Sequence, residues 1–261
     1  MGNIPDSHPR KASLLSRQRI VDATKDGFLA DSAMIAHGRG EAFDYLLGEK
    51  TSDSAKLAIK EVAARLIAAK KPVISVNGNT VVLAGKNIIR VAAVLNCPIE
   101  VNIYYRTEDR MEKLNSFLEK QKELLSRENS PEGWKGDWSS AVMSVKILGK
   151  VGDGRIEGLD GPRSVCSAEG IERADVILVP LEDGDRCEAL VNLGKQVLVV
   201  DLNPLSRTAK MATVTIVDEI SRAAELLLEY TIKNDQMPTK WNNNGILNEA
   251  LEIIATNSRT I

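Results

Sequence analysis

Four apolar stretches punctuate the chain, and each ends abruptly in polar residues: PVISVNGN (72–79), IEVNIYYR (99–106), ADVILVPLEDGDR (174–186) and KQVLVVDLN (195–203). A short run that is apolar at nearly every position leaves no face for solvent, which marks a parallel strand covered on both sides. Helical periodicity lies between the strands. DSAKLAIKEVAARLIAAKK (53–71) places Leu57, Val62, Leu66 and Ala69 near 3.6-residue spacing. The pattern predicts a helix from Ser13, preceded by Pro9, then a loop over 33–49 feeding a short helix. A helix over 84–95, a strand over 99–105 and a charged helix from Glu108 to about Arg127 come next. SRENSPEGWKGDWSS (126–140) reads as a polar surface insertion, VMSVKILG (142–149) as a strand, and 151–165 as loop. ADVILVPL, EALVNLG and KQVLVVDL form strand–helix–strand, as a parallel crossover requires. A strand at ATVTIVD (212–218) and helices at about 220–233 and 245–257 close the chain. The expected class is α/β.

Composition narrows the partners. Of 261 residues 43% are apolar but only 4% aromatic, so the core is aliphatic, and the net charge of -2 gives no general attraction to nucleic acid or an anionic membrane. Cys97, Cys166 and Cys187 form no CxxC pair, which argues against a disulfide framework or a cysteine zinc site. No uninterrupted apolar run reaches the length of about 18 residues that spans a bilayer. MGNIPDSHPRKASL has no apolar signal core, and Asp6 breaks the myristoylation pattern. These features predict a cytoplasmic protein.

The familiar nucleotide motifs are missing. Gly78 to Gly85 is two residues too long for a Walker A loop, and Asn87 follows Lys86 where Ser or Thr is required. HGRGEAF supplies two glycines of a dinucleotide fingerprint but has Phe43 in the third place. Having only His8 and His37 argues against a histidine-rich metal centre; no GxSxG elbow exists, and the loops at 152–154 and 183–185 lack EF-hand spacing. His8 reads as structural, and Tyr104 and Tyr105 as core and rim. What remains is arginine. Arg10, Arg17, Arg39, Arg106, Arg186 and Arg207 all stand near predicted loops, and a guanidinium forks onto phosphate or carboxylate oxygens. Each could instead be a surface arginine with a local carboxylate. In His37-Gly38-Arg39-Gly40 the glycines would let a ligand approach main-chain N–H groups. Asp201, directly after VLVV, is placed to accept ribose hydroxyls or to cap the next turn. Asn77-Gly78-Asn79 is a ligand loop or a tight turn, and Asp183 with Asp185 a helix cap or a water-mediated magnesium site.

Taken together, SHPRxxSLxxR (7–17), IAHGRGEAFDYLLGE (35–49), PVISVNGN (72–79), EVNxxYRTEDR (100–110), VPLEDGDR (179–186) and DLNPLSRTAxMAxxTIVD (201–218) resemble the archaeal phosphopantothenate synthetase family, the 4-phosphopantoate–β-alanine ligases. The resemblance covers about residues 4–222. It implies a homodimer with a Rossmann-like, mostly parallel sheet flanked by helices and no P-loop, and it places the ligase domain at 1–235 with a C-terminal helical tail at 236–261. It further implies condensation of 4-phosphopantoate with β-alanine, ATP being split to AMP and diphosphate with Mg²⁺, on the way to coenzyme A. Carried over by motif position, the ATP contacts are Arg17, Arg39, Asp201-Leu202-Asn203, Arg207-Thr208 and Glu219-Ile220; Glu219 stands where the family pattern has Asn, so a main-chain contact is expected there. On this reading His37, Asn77, Gly78, Asn79 and Arg106 hold phosphopantoate, and the loop of Asp183, Asp185 and Arg186 holds metal or the β-alanine ammonium. His37, Arg39 and Arg106 are the catalytic candidates. The competing classes are a nucleotide-sensing module without turnover and a kinase of a small hydroxy acid.

Overall fold

Each predicted strand core is present, and the strands align in parallel. The computed structural model describes residues 4–104, 106–180 and 183–258; Tyr105, Leu181 and Glu182 of the quoted motifs lie outside them. The elements run α1 (Lys11–Lys25), α2 (Ser32–Leu47), α3 (Asp53–Ala68), β1 (Pro72–Val76), α4 (Gly78–Leu95), β2 (Ile99–Val101), α5 (Glu108–Leu125), α6 (Trp138–Ser144) and β3 (Ile147–Leu148). A small hairpin of β4 (Gly154–Arg155) and β5 (Val165–Cys166) follows. The chain then continues through β6 (Val176–Pro180), α7 (Gly184–Asn192), β7 (Gln196–Val200), α8 (Arg207–Met211), β8 (Val214–Ile216), α9 (Ile220–Lys233) and α10 (Asn243–Ser258).

The main sheet has the order β3-β2-β1-β6-β7-β8, with every pair parallel. The order reverses between β1 and β6. In open α/β sheets a crevice opens at such a reversal, outside the carboxyl ends of the strands. Alternation divides the strand side chains between two cores. Ile74, Val76, Val176, Leu178, Leu198, Val200, Val214 and Ile216 face a thick layer built from α1, α3, α4, α5, α6 and α9. Val73, Ile177, Val179, Val197 and Val199 face the hairpin and α7. Gly78–Leu95 is long and apolar enough to cross a membrane, but 67% of it is buried, because it is a core helix of this sheet. Cys97, Cys166 and Cys187 are all buried and free, and burial pushes the Cys97 and Cys166 thiols up to about 12.

Several boundaries differ from the sequence reading. Residues 32–47 are one continuous helix rather than a loop feeding a short one, so Gly38 and Gly40 lie inside α2. The helix read as 84–95 begins at Gly78, and the strand read as 99–105 stops at Val101. Most of 142–149 is not strand: α6 occupies its start and β3 contributes two residues. The polar 126–140 segment contains Trp134 and Trp138, stacked edge to face at 5.8 Å against the main core. The stretch 151–165 carries β4 and the first residue of β5.

Candidate active site

At the reversal point the ends of β1, β2 and β7 open into a crevice of about 570 Å³, well within the range of small-molecule sites. β1 delivers Asn77, whose Oδ1 accepts the N–H of Thr80 and caps α4, while its Nδ2 donates to the Pro180 carbonyl at the end of β6 (3.2 Å). Asn77 thus fixes the α4 N-terminus across the gap between β1 and β6. Main-chain N–H groups and the positive end of the helix dipole are concentrated there, an arrangement suited to an anion. Gly78 packs closely on Leu29: a Cβ there would lie 2.5 Å from Leu29 Cδ2 and would displace that side chain. Asn79 is buried; its Nδ2 donates to the Ala33 carbonyl (3.1 Å), and its Oδ1 has no hydrogen-bond partner among the described residues.

Opposite, β7 delivers Asp201. Its Oδ1 accepts the N–H of Asn203 (2.9 Å) and its Oδ2 the hydroxyl of Ser206 (2.5 Å). Asn203 in turn accepts the N–H of Leu205, so the 201–206 segment is braced by its own side chains. Burial raises the Asp201 pKa, against the opposing influence of Ser206, Asn203 and the nearby Arg39 cation. The third wall is the face of α2 that carries Ala33, Ala36, Gly40 and Phe43, with Arg39 beside it. Phe28, Leu29, Ile103 and Leu202 make the remaining surface largely apolar, and Ser32, Arg110, Ser206 and Thr208 add polar groups.

The crevice therefore gathers Arg39, Asn77, Gly78, Asn79, Asp201, Leu202, Asn203 and Thr208 from the sequence candidates. The other candidates lie elsewhere. Because 37–40 is helical, its N–H groups do not form the open glycine cradle expected there. His37 does not line the crevice and lies within the electrostatic reach of Glu41 and Arg17; burial is the main cause lowering its pKa, and its Nε2 has no partner among the described residues. Arg17 forks onto Glu41 through Nε (3.2 Å) and Nη2 (2.5 Å). Arg106 lies beyond the end of β2 and donates to the carbonyls of Gly149 and Lys150.

Buried Arg186 donates to Asn102 Oδ1 (2.5 Å), close to the buried Glu100, whose carboxylate accepts the N–H groups of Ser167 and Ile171. Asp183 caps α7 by accepting the N–H of Asp185, and Arg163 bridges both carboxylates (3.1 and 2.7 Å). Arg207 pairs with Asp185 and Glu188. Asp183 is thus the helix cap weighed from sequence and Arg207 an arginine with local carboxylates, while Asp185 pairs with Arg163 and Arg207. Glu219 caps α9 through the N–H groups of Ser221 and Arg222, and Ile220 is core. No group of three His, Cys, Asp or Glu able to hold a metal occurs among the described residues.

Sequence reasoning missed Arg110, Ser32, Phe28 and Phe43. Arg110 closes the EVNxxYRTEDR block but was given no role of its own, standing as one charge in the first turn of a charged helix, and the other three gain meaning only once α2 and the 28–30 segment fold over the strand ends.

Comparison with known proteins identifies relatives along most of the chain. Residues 54–257 match the family model described as phosphopantothenate/pantothenate synthetase. A 4-phosphopantoate–β-alanine ligase of Methanospirillum hungatei is 41% identical over 96% of both chains. The protein of the same name from Thermococcus kodakarensis is 46% identical over 88% of this chain and 80% of its own. That of Methanosarcina mazei is 39% identical over 100% of this chain and 98% of its own. With its parallel sheet, its crevice at the strand reversal and these relatives along nearly its whole length, the chain belongs to the phosphopantothenate/pantothenate synthetase family.

Proposed function

We propose that the protein is an AMP-forming 4-phosphopantoate–β-alanine ligase of coenzyme A biosynthesis that carries out its chemistry in the crevice at the β1/β6 reversal. One observation carries the reading. A single cavity places a half-buried carboxylate loop, Asp201 to Asn203, opposite a helix N-terminus, Asn77 to Asn79, with the guanidinium-bearing residues Arg39 and Arg110 on its walls. The first side suits a nucleoside, because a carboxylate after a strand accepts ribose hydroxyls. The second suits a phosphate ester, held by helix N–H groups, while the Asn79 Oδ1, an acceptor without a partner among the described residues, suits a hydroxyl donor of the same substrate.

A carboxylate is a poor acyl donor. On this reading the pantoate carboxylate attacks the α-phosphorus of ATP, the bond to the β-phosphate oxygen breaks, and diphosphate leaves. The β-alanine amine then attacks the acyl-adenylate carbonyl; the amide bond forms, AMP leaves and the ammonium proton is lost. Both reactants are polyanions, so approach requires cationic neutralisation in a site with little water. Arg39 and Arg110 supply it from the protein. Mg²⁺ would add further neutralisation of the nucleotide charge beside Arg39 and Arg110. The Asp183/Asp185 pair does not fit a metal, because Arg163 and Arg207 already occupy its carboxylates. Exposed Met34 and Ile35 on α2 and Leu205 beside the crevice support a homodimer built next to the site. Equilibrium sedimentation reads that state directly.

The test is incubation with ATP, Mg²⁺, 4-phosphopantoate and β-alanine, followed by identification of the nucleotide. AMP and diphosphate in amounts equal to the amide support the ligase; ADP would show a kinase, and no turnover a sensor.

A further inference from the structure

The C-terminal helix does not line the crevice, yet it packs behind two residues that do. Leu247 and Ala250 of α10 are buried in one cluster with Leu47, Leu202, Ala209 and Val217, and Phe43, Ile253 and Ile254 pack against that cluster. Leu202 and Phe43 also line the crevice. Two asparagines fasten the helix at its ends. Asn243 accepts the N–H of Thr215 in β8 (2.7 Å) and donates to the carbonyl of Ala209 in α8 (2.8 Å), next to Thr208. Asn257 donates to the carbonyl of Leu46 (2.9 Å), in the last turn of α2, where helix carbonyls have no partner of their own.

We propose that α10 is the positioning element of the nucleotide side of the crevice. Through Leu247, Asn243 and Asn257 it sets the spacing between α2, which carries Arg39, Gly40 and Phe43, and the Asp201–Asn203 loop. The proposal rests on the reading of this crevice as the ATP site. The need for such a support follows from α2 itself. Its first half is exposed, with Ile35 67% accessible, and two glycines interrupt its interior. Its second half is held by Arg222 through Asp44 and by α10. Packed interiors behave as interlocking solids, so a shift of Leu202 or Phe43 passes directly to the wall in front of it. A misplacement of about 1 Å at a reacting centre costs on the order of 10²-fold in rate.

The experiment measures ATP affinity by calorimetry, kcat, KM and the thermal melt on the full chain. Leu247→Ala is compared with Leu227→Ala, a similarly buried truncation in α9 that belongs to the main core and not to this cluster, and with Asn257→Ala and the exposed Glu249→Ala. Both leucine variants are expected to melt earlier. Only Leu247→Ala should weaken ATP binding, by about tenfold or more at a temperature where it is fully folded, with phosphopantoate KM changed by less than about threefold. Leu247→Met, which conserves volume, should recover most of the affinity. Asn257→Ala should weaken ATP binding by at least about threefold, and it carries the test alone if Leu247→Ala does not fold. Glu249→Ala should match wild type. Wild-type ATP affinity in both Leu247→Ala and Asn257→Ala, or equal weakening in Leu227→Ala, overturns the positioning role. Failure of the underlying ATP-site reading shows separately, as unchanged ATP affinity in Asp201→Ala.

Discussion

Replacing Gly38 by Ala separates the helix seen here from the glycine loop that the HGRG motif suggests. Gly38 lies in the interior of α2, it is not among the glycines with positive φ, and a Cβ built on it meets nothing within 4 Å. Neither packing nor backbone conformation therefore demands glycine. The substitution should recover the propensity difference between glycine and alanine in a helix interior, about 0.8–1.0 kcal/mol. It adds little hydrophobic gain, because the position is exposed. For a chain of this size that corresponds to a rise of roughly 2–4 °C in Tm. Urea and thermal unfolding of wild type and Gly38→Ala measure it, alongside ATP affinity. Gly40 provides the contrast: it lines the crevice, and its Cβ would stand 3.4 Å from Leu202 Cδ1. Gly40→Ala should gain no more stability and should weaken nucleotide binding. A Gly38→Ala protein that melts below wild type would refute the helical assignment and return 37–40 to an open loop.

Arg222→Met should cost about 3 kcal/mol in urea unfolding, because Asp44 and Asp218 would remain buried without their shared cation; this is the low end for a broken buried pair, since the Arg222 side chain is 28% exposed. A loss below about 1 kcal/mol would show that the two carboxylates relax into water. Asp201→Ala should weaken ATP binding by roughly 1.5–3 kcal/mol, the value of a hydrogen bond to a charged group, with a smaller loss of stability from the freed Asn203 N–H and Ser206 hydroxyl. The reverse ranking would make Asp201 only a cap. Burial lowers the His37 pKa from its ordinary 6.5, so the folded state favours neutral imidazole. Its contribution is present above that value and is lost as pH falls through the folded pKa. Urea midpoints at pH 7.5 and 5.0 should therefore converge in His37→Gln relative to wild type, and an identical pH response in both proteins would remove His37 from the account.

The parallel strands were legible because burial on both faces leaves a continuous apolar run, as in VILVP and QVLVV. The positions of Asp201 and Asn77 followed, since strand ends near an order reversal are where ligands meet such sheets. The α2 helix was misread because two glycines outweighed a usable pattern, Ala33, Ala36, Gly40 and Phe43 on one face. Tertiary anchoring at Asp44, Leu46 and Leu47 overrides that weak propensity. β2 stops at Val101 although the apolar sequence continues, because Val76, the last residue of β1, pairs with Val101 and the ladder ends there; Ile103 and Tyr104 turn to the crevice instead. The pairing of Arg222 with Asp44 was beyond reach for a different reason. Arg222 and Asp44 are 178 residues apart in sequence, and no local pattern encodes that pairing.

The three buried cysteines make the protein a convenient host for optical probes. Thiol reagents attack the thiolate, and with two of the thiols held near 12 and all three shielded from solvent, the native chain offers them no ready target among the described residues. A cysteine introduced at Asp31, the exposed N-cap of α2, which makes no side-chain capping hydrogen bond, becomes the selective site for a maleimide dye without prior removal of the natural ones. Fluorescence from that dye follows the helix carrying Arg39 during a single turnover, and so separates nucleotide arrival from bond formation in time.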